Sequence, residues 1–276
     1  MPVPDVECER EYSPSSRVGG SAAPFVADYE ARSAAASAAL GVREEVLADG
    51  TRLVRGEPGA PLLVFVHGGY WQALSAASSA YLAPGAVGLG WSYAALEYTI
   101  APTGTLPAMV DECRRGLTRA VEHLAATANP AGLVLAGHSA GAHLAAMVAI
   151  AADPPVPVDR VVLVSGVFDL RPLLRTTVND PLQLDESSAS ALSPMLLGAG
   201  DSCAAGRTEV VVAWGDNDTA AFAAQSRDYA AVLHAAGARV SAFECAGRHH
   251  FDIVDDLVRP DTPLGSATVG IWRHEG

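Results

Sequence analysis

No stretch of this sequence approaches the roughly 18 uncharged apolar residues that a membrane-spanning helix needs. The first residues, Met1-Pro2-Val3-Pro4-Asp5-Val6-Glu7, carry neither a basic region nor an apolar core, which argues against a secretory signal. Basic residues are few: 18 Lys and Arg stand against 31 Asp and Glu, for a net charge of −13. So acidic a balance argues against nucleic acid and anionic membrane as partners. Four cysteines (Cys8, Cys113, Cys203, Cys245) lie far apart with no C-x-x-C pair. That spacing is neither a disulfide frame nor a zinc site, and no metal or other cofactor is expected. The thiols read as reduced cysteines of a cytoplasmic protein. The chain has no internal repeat and no long low-complexity linker.

What is there is a 276-residue chain that is half hydrophobic, enough for one domain with a large core. The expectation is a single domain over residues 1–276. It has an arm with little regular structure over 1–27 and an irregular, cap-like insertion over about 171–207, where Pro172, Pro181 and Pro194 fall. Continuous apolar runs mark buried strands: Pro61–Val66, Trp91–Leu96, Leu133–Ala136, Arg160–Ser165, Glu209–Trp214 and Arg239–Phe243. Two edge strands, Val42–Ala48 and Thr51–Arg55, meet at Asp49-Gly50. Helices are predicted over 28–40, 75–89, 106–127, 142–152, 220–236, 248–258 and 262–272. Strands alternating with helices give an α/β fold with a mainly parallel central sheet covered on both faces. Ligands of such sheets bind at the carboxyl ends of the strands.

The stretch that organises the rest is Gly137-His138-Ser139-Ala140-Gly141, between a predicted strand and a predicted helix. This is the G-x-S-x-G elbow, in which a strained turn projects the serine hydroxyl above the sheet. A side chain at 137 or 141 would strike the adjoining strand or helix. A serine hydroxyl needs a histidine base, and the histidine needs a carboxylate. After Ser139 the order should be acid, then histidine. His249 and His250 both follow the last strand. Asp216 and Asp218 both follow the penultimate one, with Asp218 favoured by its G-x-x-D spacing from Gly215. Asp169 is a third candidate. His67-Gly68-Gly69 fits an oxyanion loop, which assigns the donors to the backbone of Gly69, Tyr70 and Ala140.

With these motifs the chain resembles the kynurenine formamidases (arylformamidases) of the α/β-hydrolase fold. The resemblance rests on Glu11-Tyr12-Ser13-Pro14-Ser15, His67-Gly68-Gly69-Tyr70-Trp71-Gln72, Gly137–Leu144, Ser165–Pro172 and His250-Phe251-Asp252-Ile253-Val254. The family's His-Phe pair matches His250-Phe251, so the resemblance implies a triad of Ser139, Asp218 and His250. It also implies metal-independent hydrolysis of N-formyl-L-kynurenine to L-kynurenine and formate, a step of tryptophan catabolism. The partner is then a small N-formyl or N-acyl arylamine, and a homodimer is a further expectation. Tyr70, Trp71 and Phe168 are expected to offer ring surface to the aryl group, and Arg175 with Asn179 to meet the substrate tail. The other cations near the site-side loops are Arg17, Arg171 and Arg248. Where the family usually has Ser/Thr-Pro-Glu-Phe after the acid, this chain has Thr219-Ala220-Ala221-Phe222. Recognition of a substrate carboxylate is therefore expected to be weak. A carboxylesterase or N-acyl arylamine amidase of secondary metabolism is the alternative activity, and a non-catalytic receptor on the same scaffold a third.

Overall fold

Leu62–Val66 is apolar at every position and is buried at every position, the mark of a strand covered on both faces. In the computed structural model, which describes residues 5–125, 128–150 and 156–270, this strand stands near the middle of an eight-stranded sheet. The strands are β1 Glu44–Val46, β2 Arg52–Val54, β3 Leu62–Val66, β4 Ser92–Leu96, β5 Leu133–His138, β6 Arg160–Val164, β7 Glu209–Gly215 and β8 Arg239–Cys245. Their order is β1-β2-β4-β3-β5-β6-β7-β8. The first three pair antiparallel and all the others parallel.

Alternation along β3 divides the core. Leu62, Val64 and Val66 join the cluster that also holds Met109, Cys113, Leu117 and Leu124 of the helix Leu106–Ala125. Those four apolar residues recur at intervals of four and seven, which gives the helix its single buried stripe. Leu63 and Phe65 face the opposite cluster, with Tyr29 and Leu40 of the helix Ala23–Leu40. The helix Ala140–Ala149 lies against the middle of the sheet. It is buried all round except at Met147, which accounts for its run of Ala and Gly.

Three segments differ from the sequence expectation. The arm holds a helix, Val6–Glu11, capped by Asp5, whose Oδ1 accepts from the backbone of Glu7 and Cys8 at 3.1 and 3.2 Å. A 3₁₀ turn, Pro14–Arg17, follows it. The cap residue was the available signal. The stretch 171–207 is a string of short helices: Arg171–Arg175, Asn179–Leu182, Glu186–Ala191, Pro194–Leu197 and Gly200–Ala204. Pro172 and Pro194 sit in first turns, where proline begins helices and does not break them. Beyond β8, residues 250–252 form a turn and only Ile253–Val258 is helical, as a 3₁₀ segment. Parts of the predicted helices at 126–127, 151–152 and 271–272 lie outside the described residues.

Among the described residues no helix is long and apolar enough to cross a membrane. All four cysteines are free and buried.

Candidate active site

Ser139 sits between β5 and the helix Ala140–Ala149 with φ +56° and ψ −120°. Such a backbone is costly for a residue with a side chain, so the surroundings must hold it. They do so by close packing. A Cβ at Gly137 would lie 2.2 Å from the Gly141 carbonyl oxygen, and one at Gly141 would lie 2.0 Å from that of Val66. The Ser139 N–H is fixed to the Val164 carbonyl at 2.8 Å.

The Ser139 hydroxyl lies 3.0 Å from His250 Nε2, and His250 Nδ1 lies 3.0 Å from Asp218 Oδ1. All three residues are buried. Asp218 follows β7 and is turned inward by the hydrogen bond from its own N–H to the Gly215 carbonyl. The second carboxylate oxygen, Oδ2, accepts from the Ser165 hydroxyl at 2.6 Å. Burial alone would raise the pKa of Asp218. The His250 ring and the hydrogen bonds from His250 and Ser165 outweigh it and hold the carboxyl below its ordinary value. The neighbouring candidates are occupied elsewhere. Asp216 is exposed and closes a turn with the Gly247 N–H, and Asp169 pairs with Arg171 at 2.7 Å. The His249 ring accepts from the backbone of Phe251 and Asp252.

His138 is the residue the sequence reading passed over inside the elbow. Burial and the adjacent His250 ring lower its pKa to about 3. The neutral ring donates from Nε2 to the His250 carbonyl at 2.7 Å, which anchors the backbone of the base. Ser165 was missed as well. It ends β6, the strand beside β7, and a hydroxyl at that place is the signal that could have found it.

The loop after β3 passes directly beside the serine: a Cβ on Gly68 would be 3.1 Å from Ser139 Cβ. Gly69, Tyr70 and Trp71 have φ of +93°, +51° and +60° in succession. Gln72 and Ala73 donate to the Gly69 carbonyl, which closes the turn. The N–H groups of Gly69 and Tyr70 have no acceptor among the described residues. Ala140 is the first helical residue, where an N–H has no intrahelical partner. His67 orders this loop by donating from Nδ1 to Gly68 and by stacking on Tyr98 at 4.1 Å. The Tyr98 hydroxyl reaches the carbonyls of His67 and Gly68.

Ser139, His138 and His250 line a cavity of about 340 Å³. Tyr70 and Leu74 line it from the oxyanion side, and Thr177 and Val178 are the part of the 171–207 stretch that reaches it. Much of the remaining wall is the arm: Glu9, Tyr12, Ser13, Pro14 and Ser15. The arm is pinned to both catalytic loops. Tyr70 donates its hydroxyl to the Tyr12 carbonyl, and Thr219, beside Asp218, donates to the Glu11 carbonyl at 2.6 Å. Gln225 ties the Tyr12 hydroxyl to the backbone of Phe168 and Asp169.

Four residues expected to bind substrate do not line this cavity. Trp71 is fully buried with its ring edge-on to His143 at 5.1 Å, and Phe168 is fully buried and stacked on Tyr229 at 4.4 Å. Both rings belong to the main core cluster. Arg175 is exposed and paired with Asp5 of the arm. Asn179 closes its own turn through the N–H and carbonyl of Leu184. Arg171 and Arg248 are likewise taken up, by Asp169 and Asp256. Among the described residues no cluster of His, Cys, Asp and Glu could hold a metal ion.

A family model described as alpha/beta hydrolase fold matches residues 63–252. A kynurenine formamidase of Danio rerio is 38% identical over 73% of this chain and 69% of its own length. One from Salmo salar is 37% identical over 74% and 70%. A solved structure from Silicibacter sp., assigned as a thioesterase, superposes with a TM-score of 0.78 at 28% identity, covering 95% of this chain and 99% of that one. The fold and the elbow thus define an α/β hydrolase. Within that class the chain belongs to the kynurenine formamidase family.

Proposed function

We propose that the protein hydrolyses the formyl amide of an N-formyl arylamine such as N-formyl-L-kynurenine, releasing the free amine and formate. The observation that carries the reaction class is the continuous hydrogen-bonded relay from Ser139 through His250 to Asp218. The kinship with kynurenine formamidases supports the choice of amide.

In this reading Ser139 Oγ attacks the formyl carbon while His250 Nε2 takes the hydroxyl proton. Asp218 fixes the ring tautomer and stabilises the imidazolium. The oxyanion is met by the N–H groups of Gly69, Tyr70 and Ala140, each worth on the order of 3 kcal/mol. The C–N bond then breaks, and His250 returns its proton to the departing arylamine nitrogen. A water deprotonated by His250 attacks the formyl ester on Ser139. Formate leaves, and the serine oxygen regains a proton. The buried free thiols suit a reducing, cytoplasmic setting. The arm and the 171–207 stretch are taken as parts of one catalytic domain.

The test is release of formate and arylamine in equal amounts from N-formyl-L-kynurenine and from formanilide, with a panel of aryl esters alongside. Hydrolysis of the amides, lost in Ser139→Ala, is the expected result. Turnover of esters with none of any N-formyl amide would overturn the reading in favour of an esterase.

A further inference from the structure

We propose that Glu9 is the specificity-determining residue of this cavity, selecting arylamine substrates whose tail carries a protonated amine over those whose tail carries only a carboxylate. The inference rests on the amide-hydrolase function proposed above and adds the chemistry of the tail.

Among the described residues that line the cavity, Glu9 is the only acidic side chain, and the only basic ones are the imidazoles of His138 and His250. Its carboxylate is half-buried and fixed in place. Oε2 accepts from the Thr177 N–H at 2.8 Å and Oε1 from the Thr177 hydroxyl at 2.5 Å. A carboxylate has about four acceptor sites, so roughly half remain open to a donor arriving through the cavity. None of the ion pairs formed by the described arginines neutralises it. Arg10 turns to Glu7 and Glu11, Arg175 to Asp5 and Arg171 to Asp169. No described arginine lines the cavity. The rest of the lining is apolar or hydroxyl-bearing, so a substrate carboxylate would meet a fixed like charge and no compensating cation. An ammonium group would meet a preset acceptor.

Glu9 and the relay bound the same cavity. The small formyl group is taken at Ser139, and the bulk of the molecule is left to extend along the arm. A charge-assisted hydrogen bond at such a site is worth about tenfold or more in affinity.

The experiment compares kcat/KM for three N-formyl-2-acylanilines: one with an aminoalkyl tail, one with the amino-acid tail of N-formylkynurenine, and one with a carboxyalkyl tail. The amine tail is expected to lead, the zwitterion to follow, and the carboxylate tail to trail the amine by about tenfold, mainly through KM. In Glu9→Gln the amine-to-carboxylate ratio should fall to near unity. The amide still accepts from Thr177 but carries no charge. A wild-type enzyme that turns over the carboxylate tail as well as the amine tail overturns the proposal, as does a Glu9→Gln enzyme that keeps the ratio. The wild-type ratio decides alone if the variant does not fold. Turnover of all three without preference sinks the role of Glu9 and leaves the amidase reading standing. Turnover of none sinks both.

Discussion

Ser139, Asp218 and His250 stand on loops that leave β5, β7 and β8 at their carboxyl ends, whereas Glu9, Tyr12, Ser13 and Val178 reach the same cavity from segments outside the sheet. The first group is buried and fixed by close backbone contacts. The second is held by the packing of Cys8 and Tyr12 against the core and by hydrogen bonds that include Tyr70 to Tyr12, Thr219 to Glu11, Gln225 to Tyr12 and Thr177 to Glu9. The difference separates two tasks. Strand ends can hold a relay to within a few tenths of an ångström, as bond-making requires. A wall built from segments outside the sheet can change its residues without disturbing it, and the proposed reading places substrate selection there. The proposed division makes a sharp demand. Changes at the strand ends should lower kcat, and changes in the wall should move KM and selectivity.

The largest effect expected is that of Ser139→Ala, a loss of about 10⁶ in kcat with the fold retained, because this hydroxyl does chemistry and little packing. Circular dichroism with a formate assay checks both halves. Turnover near that of the wild type would remove Ser139 from the reaction. Next comes Asp218→Asn, at about 10⁴, since an amide disfavours the ring tautomer that presents Nε2 to the serine. Asp216→Asn, at an exposed turn, should stay within about twofold. A reversed order would mean that the acid had been misassigned.

How much of this was legible follows the same division. The elbow is local, five residues whose glycines state their own purpose, so Ser139 and its strand–turn–helix could be read directly. The spacing Gly215-x-x-Asp218 favoured one acid over its neighbour, and Asp218 is the one that lies 3.0 Å from His250 Nδ1. His250 could be separated from His249 only by family resemblance, because both residues follow the same strand. Trp71 and Arg175 lie away from the cavity for one reason. Their partners are distant in sequence. Arg175 meets Asp5, 170 positions away, and Trp71 meets His143 across the core. No local pattern announces those pairs. The short helices of the arm and of 171–207 were legible in principle, through Asp5 and the first-turn prolines, but proline was weighed only as a breaker.

Ser165→Ala tests the strand-end group at a residue that touches neither substrate nor nucleophile. Removing its hydroxyl leaves Asp218 Oδ2 without its 2.6 Å donor in a buried place. A hydrogen bond to a charged group is worth about 1.5–3 kcal/mol, so kcat should fall roughly tenfold to a hundredfold with KM little changed. The Asp218 pKa should rise as well, because a donor to its charged form is lost. Ser165→Thr, which keeps the hydroxyl, should restore activity if the strand end accepts the extra methyl. A Ser165→Ala enzyme with wild-type kcat would reduce Ser165 to a packing role.

A smaller effect concerns stability and pH. Burial lowers the pKa of His143 to about 4, and burial with the neighbouring His250 ring lowers that of His138 to about 3. The unfolded chain takes up protons at these sites near pH 6.5, while the folded chain stays neutral. Between about pH 6.5 and 4 the unfolded state therefore binds more protons, and stability must fall as the pH falls. The loss should be on the order of 3 kcal/mol per ring over that window, and nothing is gained above it. Thermal unfolding across the range checks this. In His143→Leu the slope should be shallower, whatever the variant's overall stability. An unchanged slope would mean that the ring is not neutral in the fold.

The last effect is the smallest and lies at the seam between the two regions. The Tyr70 backbone belongs to the oxyanion loop, while its hydroxyl donates to the Tyr12 carbonyl of the arm. Tyr70→Phe keeps the ring, with its edge toward Phe222, and removes only that link. The cost to stability should be about 1 kcal/mol, typical of one neutral hydrogen bond. If the arm is a recognition wall, loosening it should raise KM a few-fold and blunt selectivity among tails, with kcat close to the wild-type value. The relay and the backbone donors do not depend on the hydroxyl. If kcat fell tenfold while KM held, the arm would instead be tensioning the oxyanion loop. The separation of bond-making strand ends from a substrate-reading arm would then break at Tyr70.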